Sequence, residues 1–191
     1  KSFDLILRNG TIVNHDGRSA RDIGVRDGRI AALGNLSSAS AAEEIDATGL
    51  HVLPGVIDTQ VHFREPGLEQ KEDLKTGSMA AILGGVTAVF EMPNTFPPTD
   101  SAAAMNDKLS RAHHRMFCDH AFYVGATAEN AADLGELERL PGCCGVKVFM
   151  GSSTGSLLVA DDEGLAAVLR SIRRRAAFHA EDEARLNARK G

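Results

Sequence analysis

The spacing of apolar and polar positions changes once along the chain, near residue 53. Before that point, short apolar runs are separated by Asn-Gly and Asp-Gly pairs. These pairs tolerate the positive φ angles of tight turns, so each run is predicted to be a strand. The predicted strands lie over 3–7, 11–13, 22–25 and 29–33. Residues 1–52 are therefore expected to form the N-terminal part of a small composite β-sandwich module.

From residue 53 onward the pattern alternates between strand-like and helix-like segments. Strands are predicted near 54–62, 86–92, 117–124, 144–150 and 176–181. Helices are predicted near 70–83, 100–114, 128–138 and 161–175, and a further helix begins near 182. This alternation indicates a parallel sheet with helical crossovers, and polar residues at the strand ends favour a (β/α)8 TIM-type barrel.

The length allows only part of such a barrel. A complete (β/α)8 barrel takes roughly 250 residues, and residues 53–191 fall well short of that number. We therefore expect a partial barrel of about five strand–helix units. It would either be completed by another segment or be a truncated product.

Composition and charge exclude several classes of function. The net charge of −5 argues against nucleic acid or an anionic membrane as the main partner. No apolar stretch reaches the roughly 20 residues that span a bilayer, and no signal peptide is visible at residue 1. The three cysteines, two of them adjacent, do not form a disulfide framework. A cytoplasmic location is expected.

A file of polar residues begins in the first predicted barrel strand. Alternate side chains of a strand point to the same face. The residues predicted to share that face are Asp58, Gln60, His62 and Arg64. Because apolar side chains occupy the opposite face, this file indicates a binding or catalytic site.

Two later strands add candidates to this site. His179, like His62, lies at the end of a predicted strand, where barrel sites form. Neutral imidazole suits zinc, although a single strand histidine is more often structural. Lys147 lies in an apolar run that is predicted to be buried. Burial lowers the pKa of a lysine and makes its amine nucleophilic, unless the stem carries the charge to the strand end.

Four segments resemble the larger bacterial dihydroorotases of the amidohydrolase superfamily. They are LPGVIDTQVHFREPG at 53–67, EMPNT at 91–95, GVKVFMGSSTG at 145–155 and HAEDE at 179–183. They occur in the order and at the spacing of that family. The resemblance implies a cyclic amidohydrolase that interconverts (S)-dihydroorotate and N-carbamoyl-L-aspartate in pyrimidine biosynthesis.

The resemblance also implies roles for individual residues. Lys147 would be carbamylated and would bridge zinc ions, with His62 and His179 as further ligands. Arg64 and Asn94 would hold the substrate carboxylate, since a guanidinium and an amide can both donate hydrogen bonds to it. From the residues alone, a surface ion pair for Arg64 and a turn role for Asn94 remain open.

Gln60 departs from the family pattern, which usually has His-x-His where this chain has Gln60-Val61-His62. A glutamine amide is a weaker metal ligand than imidazole. The expected outcomes are a single bound zinc, two zinc ions with an oxygen ligand or water in place of the missing histidine, or a catalytically silent relative. Asp58 either orients a metal ligand without touching the metal or is a capped polar residue.

Two alternatives stand beside the dihydroorotase interpretation. One is an allantoinase- or dihydropyrimidinase-type enzyme, which acts on an uncharged ring. The other is a non-catalytic paralogue that scaffolds aspartate carbamoyltransferase. The expected partners are a small cyclic amide that bears a carboxylate and further copies of the chain in a homo-oligomer. In the resembling family the remaining histidine ligands and a proton-shuttling aspartate come from later strands, so residues 1–191 alone are expected to be inactive.

Overall fold

The computed structural model describes residues 2–151 and 155–190. The chain divides into two compact units, Lys1–Gly55 and Val56–Gly191. The division falls at Gly55, whereas the sequence predicts a boundary at residue 52. Residues 152–154, which belong to the GVKVFMGSSTG segment, lie outside the described residues.

The first unit consists of short β-strands. In chain order they are β1 (Phe3–Arg8), β2 (Thr11–Asn14), β3 (Gly17–Ala20), β4 (Asp22–Arg26), β5 (Arg29–Gly34), β6 (Ala41–Asp46) and β7 (His51–Val52). They form one sheet of order β5-β4-β1-β6 and another of order β3-β2-β7. The four predicted strands are confirmed as β1, β2, β4 and β5. The apolar pattern missed β3, β6 and β7, and β6 in particular is mostly exposed and rich in acidic residues.

The second unit alternates strands and helices. Its strands are β8 (Val56–Val61), β9 (Val86–Glu91), β10 (Asp119–Gly125), β11 (Cys143–Phe149) and β12 (Ala176–His179). Its α-helices are α1 (Leu74–Leu83), α2 (Ala102–Ala112), α3 (Leu134–Leu137), α4 (Asp162–Ser171) and α5 (Glu183–Ala188). All strand pairs are parallel, in the order β12-β11-β10-β9-β8. The predicted α/β architecture is confirmed as a parallel half-barrel sheet.

Helix α1 begins later than predicted because Asp73 caps it. The Asp73 carboxylate accepts hydrogen bonds from the backbone N–H groups of Lys75 and Thr76. Such a cap satisfies donors that have no partner within the helix, so the helix begins at Leu74 rather than near residue 70. No helix in the described ranges is both long and apolar enough to cross a membrane.

The segment before α3 forms a turn instead of the predicted helix over 128–138. The N–H of Thr127 donates to the Asn130 side chain, and the N–H of Asn130 donates back to the Thr127 hydroxyl. Nδ2 of Asn130 also donates to the carbonyl groups of Asp100 and Gly125. Asparagine side chains that bond the backbone compete with helix formation. The predicted helix is therefore reduced to α3.

The core of the second unit lies between the sheet and its helices. Phe122 and Val124 of β10 and Val146 and Val148 of β11 are buried there. The helix residues of the same core are Leu74, Met105, Leu134 and Val168. Because successive side chains of a strand point to opposite faces, Lys147 points away from this core to the other face of the sheet.

Strand β8 departs from the regular alternation that the sequence predicts. Asp58 pairs with Val89 and Val61 pairs with Glu91, so three steps along β8 match two along β9. The extra residue is a β-bulge, which breaks the alternation between Asp58 and His62. The prediction that these two side chains follow one uninterrupted face is therefore wrong.

The loop after β8 contains two residues with left-handed backbone. Arg64 has a φ of +64° and Gly67 a φ of +88°. Arg64 therefore lies outside the strand alternation that was predicted for it. A Cβ at Gly67 would collide with the carbonyl oxygen of Phe96, so only glycine fits where this loop passes the segment after β9.

Gly67→Ala is expected to destabilise the protein more than Gly85→Ala. Both glycines have a φ of +88°, but a Cβ at Gly85 would meet no atom within 4 Å. Gly85→Ala should cost about 1–2 kcal/mol for the left-handed backbone alone. Gly67→Ala should cost more, because the Phe96 carbonyl must also move. Urea unfolding followed by circular dichroism measures both variants, and equal losses would contradict the close approach.

Candidate active site

The carboxyl ends of four strands carry the predicted site residues. His62 follows β8 directly, and Asn94 lies in the segment after β9. Lys147 lies near the end of β11, and His179 is the last residue of β12. The carboxyl ends of parallel strands share one edge of a sheet, where ligands bind in α/β folds. The structure thus places these residues along one edge.

His62 forms a hydrogen bond with Asn94. Its Nδ1 lies 2.9 Å from Oδ1 of Asn94. An amide oxygen only accepts hydrogen bonds, so with this amide orientation the proton lies on Nδ1 of His62. The lone pair on Nε2 of a neutral ring is then available to a ligand. Metal-binding histidines are commonly oriented by an acceptor on their other nitrogen.

The surroundings of His62 favour its uncharged form. Burial lowers the pKa of the imidazole most, and the positive charge of Arg64 adds to the effect. Lys147 and His179 lower this pKa further, whereas the hydrogen bond with Asn94 raises it. The residues from β8, β11 and β12 are therefore close enough to influence one another. A neutral imidazole is the form that binds a metal ion.

Lys147 provides a buried amine. Its exposed fraction is 3%, and burial lowers the pKa of the amine. Nζ lies 5.0 Å from the centroid of the Phe149 ring. Within 2–151 and 155–190, no carboxylate forms an ion pair with this amine. A buried amine without a counter-charge is readily neutral and nucleophilic.

His179 contacts Glu181, which belongs to the HAEDE segment at 179–183. Nε2 of His179 lies 2.9 Å from Oε2 of Glu181. The β11–β12 register aligns His179 with Phe149, and the centroids of these two rings are 5.8 Å apart. The Glu181 carboxylate and the Phe149 ring therefore both orient the His179 imidazole. No periodicity marks Glu181, because it lies in the short link between β12 and α5.

Arg64, Gln60 and Asp58 lie in different surroundings. Arg64 is partly buried, and no carboxylate in the described part of the chain forms an ion pair with its guanidinium. Gln60 is exposed within the bulge of β8. Its backbone N–H donates to Oδ1 of Asp58 at 3.0 Å. The Asp58 carboxylate thus holds the bulge, and its role in orienting a metal ligand stays a prediction.

The donor set fits a metal ion once Lys147 is modified. Among the residues that the structure describes, no three His, Cys, Asp or Glu side chains are grouped closely enough to hold one. His62, His179 and the Lys147 amine remain. A carbamate on Lys147 would add two anionic oxygens beside the imidazoles. Imidazole nitrogen and carboxylate-like oxygen are donors that zinc accepts.

The sequence matches a known family over its first barrel strands. The model of the dihydro-orotase-like family matches residues 49–145, about half of the chain. The chain belongs to the dihydro-orotase-like family. The matched residues include β8, β9 and β10, and hence the loop that carries His62 and Arg64.

Similar proteins carry three different names. An allantoinase of Desulfitobacterium hafniense (strain Y51) is 43% identical over 148 residues, which are 77% of this chain and 33% of the relative. A dihydroorotase of Methanothermobacter thermautotrophicus is 42% identical over 148 residues, 78% of this chain and 33% of the relative. The solved L-hydantoinase (dihydropyrimidinase) from Arthrobacter aurescens matches with a TM-score of 0.90 and 33% identity, over 97% of this chain and 42% of that chain.

This member of the dihydro-orotase-like family spans about a third of the length of the curated relatives that it matches. The relatives are hydrolases that act on cyclic amides. Family membership therefore supports a cyclic amidohydrolase, and the substrate has to be argued from the site.

An apolar cavity adjoins the site of this dihydro-orotase-like chain. Its volume is about 470 Å³, and Asn94 is one of its lining residues. Leu68, Phe96 and Leu157 provide apolar side chains around it. The Phe96 side chain is 72% exposed. An exposed aromatic side chain beside a cavity is available for contact with a bound ligand.

Sequence reasoning missed two buried charged pairs near the site. Glu65 is buried and binds Arg115. Glu91 and Lys108 are fully buried with 2.8 Å between Oε2 and Nζ, and burial raises the pKa of Glu91 and lowers that of Lys108. Charged residues are usually exposed. The presence of Glu91 in the EMPNT segment is the one sequence signal that could have drawn attention to the second pair.

Removing Arg64 and removing the Asn94 side chain are expected to shift the pKa of His62 in opposite directions. Arg64→Gln removes a positive charge and should raise the pKa, whereas Asn94→Ala removes a hydrogen-bond acceptor and should lower it. Histidine ¹⁵N NMR of metal-free protein over a pH series measures both. The control is Arg139→Gln at an exposed position, which should leave the pKa of His62 unchanged. Shifts of one sign in both variants would contradict this geometry.

Proposed function

We propose that the chain contributes substrate- and metal-binding residues to a zinc-dependent dihydroorotase site. The reaction would be the reversible hydrolysis of (S)-dihydroorotate to N-carbamoyl-L-aspartate. The substrate assignment rests on the partial burial of Arg64 and on the lack of a paired carboxylate within the described part of the chain. Its guanidinium is partly buried beside His62, and no carboxylate of the described residues pairs with it. A cation in that position favours an anionic ligand.

Arg64 and Asn94 would bind the substrate carboxylate together. Oδ1 of Asn94 accepts the hydrogen bond from His62, which leaves Nδ2 to donate to a ligand. A guanidinium can donate two parallel hydrogen bonds to a carboxylate. Binding through both groups would fix the ring amide near the edge that carries His62 and Lys147. Such fixed orientation lowers the entropic part of a reaction barrier.

A metal ion would be held by His62, His179 and carbamylated Lys147. When bound, zinc would polarise the ring carbonyl and activate water. The chain itself keeps His62 uncharged by burial, orients it through Asn94 and buries the Lys147 amine. Gln60 is exposed and offers a neutral amide. We therefore propose that one of two zinc positions is weaker than in relatives with histidine there.

A hydantoinase- or allantoinase-type activity is the second candidate, and the apolar cavity favours it. Leu68, Phe96 and Leu157 line that cavity beside Asn94. A neutral ring with an apolar substituent would gain roughly 25 cal/mol for each Å² of apolar surface buried there. Such a ligand would need no contact with Arg64. Relatives named allantoinase and hydantoinase are consistent with this alternative.

A non-catalytic role is the third candidate. In that case the chain would scaffold a partner such as aspartate carbamoyltransferase, and Gln60 is the residue that favours it. Lys147 would then remain an unmodified amine and zinc would not bind. For the enzymatic candidates we propose a homo-oligomer.

Ligand binding to the zinc-loaded full-length protein separates these candidates. We expect dihydroorotate to bind more tightly than hydantoin. Arg64→Gln should weaken dihydroorotate roughly 10- to 150-fold, since a hydrogen bond to a charged group contributes about 1.5–3 kcal/mol. The affinity for hydantoin should be nearly unchanged, because that ring carries no carboxylate. Isothermal titration calorimetry measures both affinities.

Two further variants complete this comparison. Arg139→Gln, at an exposed position, is the matched control and should alter neither affinity. Phe96→Ala should weaken hydantoin selectively if the cavity holds a neutral substrate. Tight hydantoin binding that depends on Phe96 and not on Arg64 would contradict the dihydroorotase proposal. Absence of zinc from the full-length protein, together with an unmodified Lys147, would instead favour the scaffold.

A further inference from the structure

The loop 62–67 carries Arg64 in an unusual backbone conformation. Its φ of +64° is left-handed, a conformation that residues other than glycine rarely adopt because Cβ crowds the backbone. Such conformations persist where the surrounding contacts enforce them, and they concentrate at binding and catalytic sites. The contacts that hold this loop therefore determine where the Arg64 guanidinium can reach.

Glu65, the next residue, makes the most extensive of these contacts. Its exposed fraction is 4%. Oε2 accepts a hydrogen bond from the backbone N–H of Leu74, the first residue of α1, at 3.1 Å. The two carboxylate oxygens also accept from the two terminal nitrogens of Arg115, at 2.6 and 3.1 Å. One buried carboxylate thus joins the loop to α1 and to the segment after α2.

Apolar and backbone contacts hold the two sides of the same loop. The Phe63 ring packs so closely on Gly77 of α1 that a Cβ at residue 77 would collide with it. The carbonyl of Pro66 accepts a hydrogen bond from the N–H of Phe96 at 2.9 Å. Arg64 lies between these two contacts, and the adjacent Glu65 carboxylate sets the path of the backbone through it.

We propose that Glu65 and Arg115 are positioning residues that hold Arg64 in its left-handed conformation, so that its guanidinium meets the anionic group of the substrate. The identity of that substrate rests on the proposed function. Arg115 acts on the ligand only through Glu65. Removing the Arg115 charge leaves the buried Glu65 carboxylate only its ion pair with Arg111 at 4.0 Å, which is too long for a hydrogen bond. This is unfavourable, so the loop should rearrange to hydrate Glu65.

A positioning role differs from a stabilising role in what it does to different ligands. A pair that only stabilised the fold would, when removed, weaken charged and neutral ligands alike. A pair that positions Arg64 would selectively weaken ligands that carry a carboxylate. The ratio of the affinities for dihydroorotate and hydantoin therefore separates the two roles.

Arg115→Gln is the informative variant. The Arg115 side chain is 40% exposed, and the substitution leaves Glu65 its hydrogen bond from Leu74. The matched control is Arg111→Gln. The Arg111 guanidinium approaches Glu65 no closer than 4.0 Å and donates instead to Asp107 at 2.6 Å.

Two measurements on each variant give the result. The ¹⁵N relaxation of Arg64 Nε and of the backbone amides of 62–67 reports how firmly the loop is held. Calorimetry on zinc-loaded protein gives the affinity ratio. Arg115→Gln should make Arg64 more mobile. It should also lower the ratio of the dihydroorotate affinity to the hydantoin affinity about tenfold, as expected when a ligand loses one hydrogen bond to a charged group. Arg111→Gln should change neither quantity.

Arg115→Lys keeps the charge and should restore part of the ratio of the affinities for dihydroorotate and hydantoin. If Arg115→Gln does not fold, Arg115→Lys replaces it in the test. An unchanged ratio with a more mobile loop would reduce the pair to a structural role. An unchanged loop would overturn the proposal outright. If the parental protein binds no dihydroorotate, the proposed substrate is wrong, while the relaxation of Arg64 still decides whether Glu65 and Arg115 position it.

Discussion

The packing of β11 against the helices determines where the reactive amine of this protein lies. Val146 and Val148 are fully buried in the core. The two-residue period of a strand then forces Lys147 to the opposite face. Burial on that face lowers the pKa of its amine. The packing of the hydrophobic core thus sets the position of Lys147. Among the described residues, no carboxylate forms an ion pair with its amine.

The rest of the site disfavours a charge on His62, whose pKa is lowered most by burial. Arg64, Lys147 and His179 all lower the pKa of His62. The hydrogen bond with Asn94 opposes them by raising this pKa, and it also orients the His62 ring. An anionic substrate would pair with the Arg64 guanidinium, and an anionic carbamate on Lys147 would favour a bound cation. The charges of the site are therefore consistent with the proposed anionic substrate. A neutral ring would instead bind in the adjoining apolar cavity and would need no contact with Arg64.

Periodicity was sufficient to predict the parallel sheet, because strand-like runs alternate with helix-like segments after residue 53. It failed where side chains redirect the backbone, as in the β8 bulge that Asp58 binds and the turn that Asn130 holds. For the site, the apolar run predicted that Lys147 is buried, which the structure confirms, whereas only the resemblance implied that it binds a metal. The contact between Glu65 and Arg115 could not be predicted, because its partners are 50 residues apart and only the folded chain buries the carboxylate.

The proposed site requires that the buried amine of Lys147 becomes an anionic metal ligand together with His62 and His179. A crystal structure of protein grown with zinc and bicarbonate, with anomalous data collected at the zinc edge, tests it most directly. We expect carbamate density on Nζ of Lys147 and an anomalous peak bonded to that carbamate and to a ring nitrogen of His62 or His179. A bare amine at Lys147 without an anomalous peak beside these histidines would contradict it.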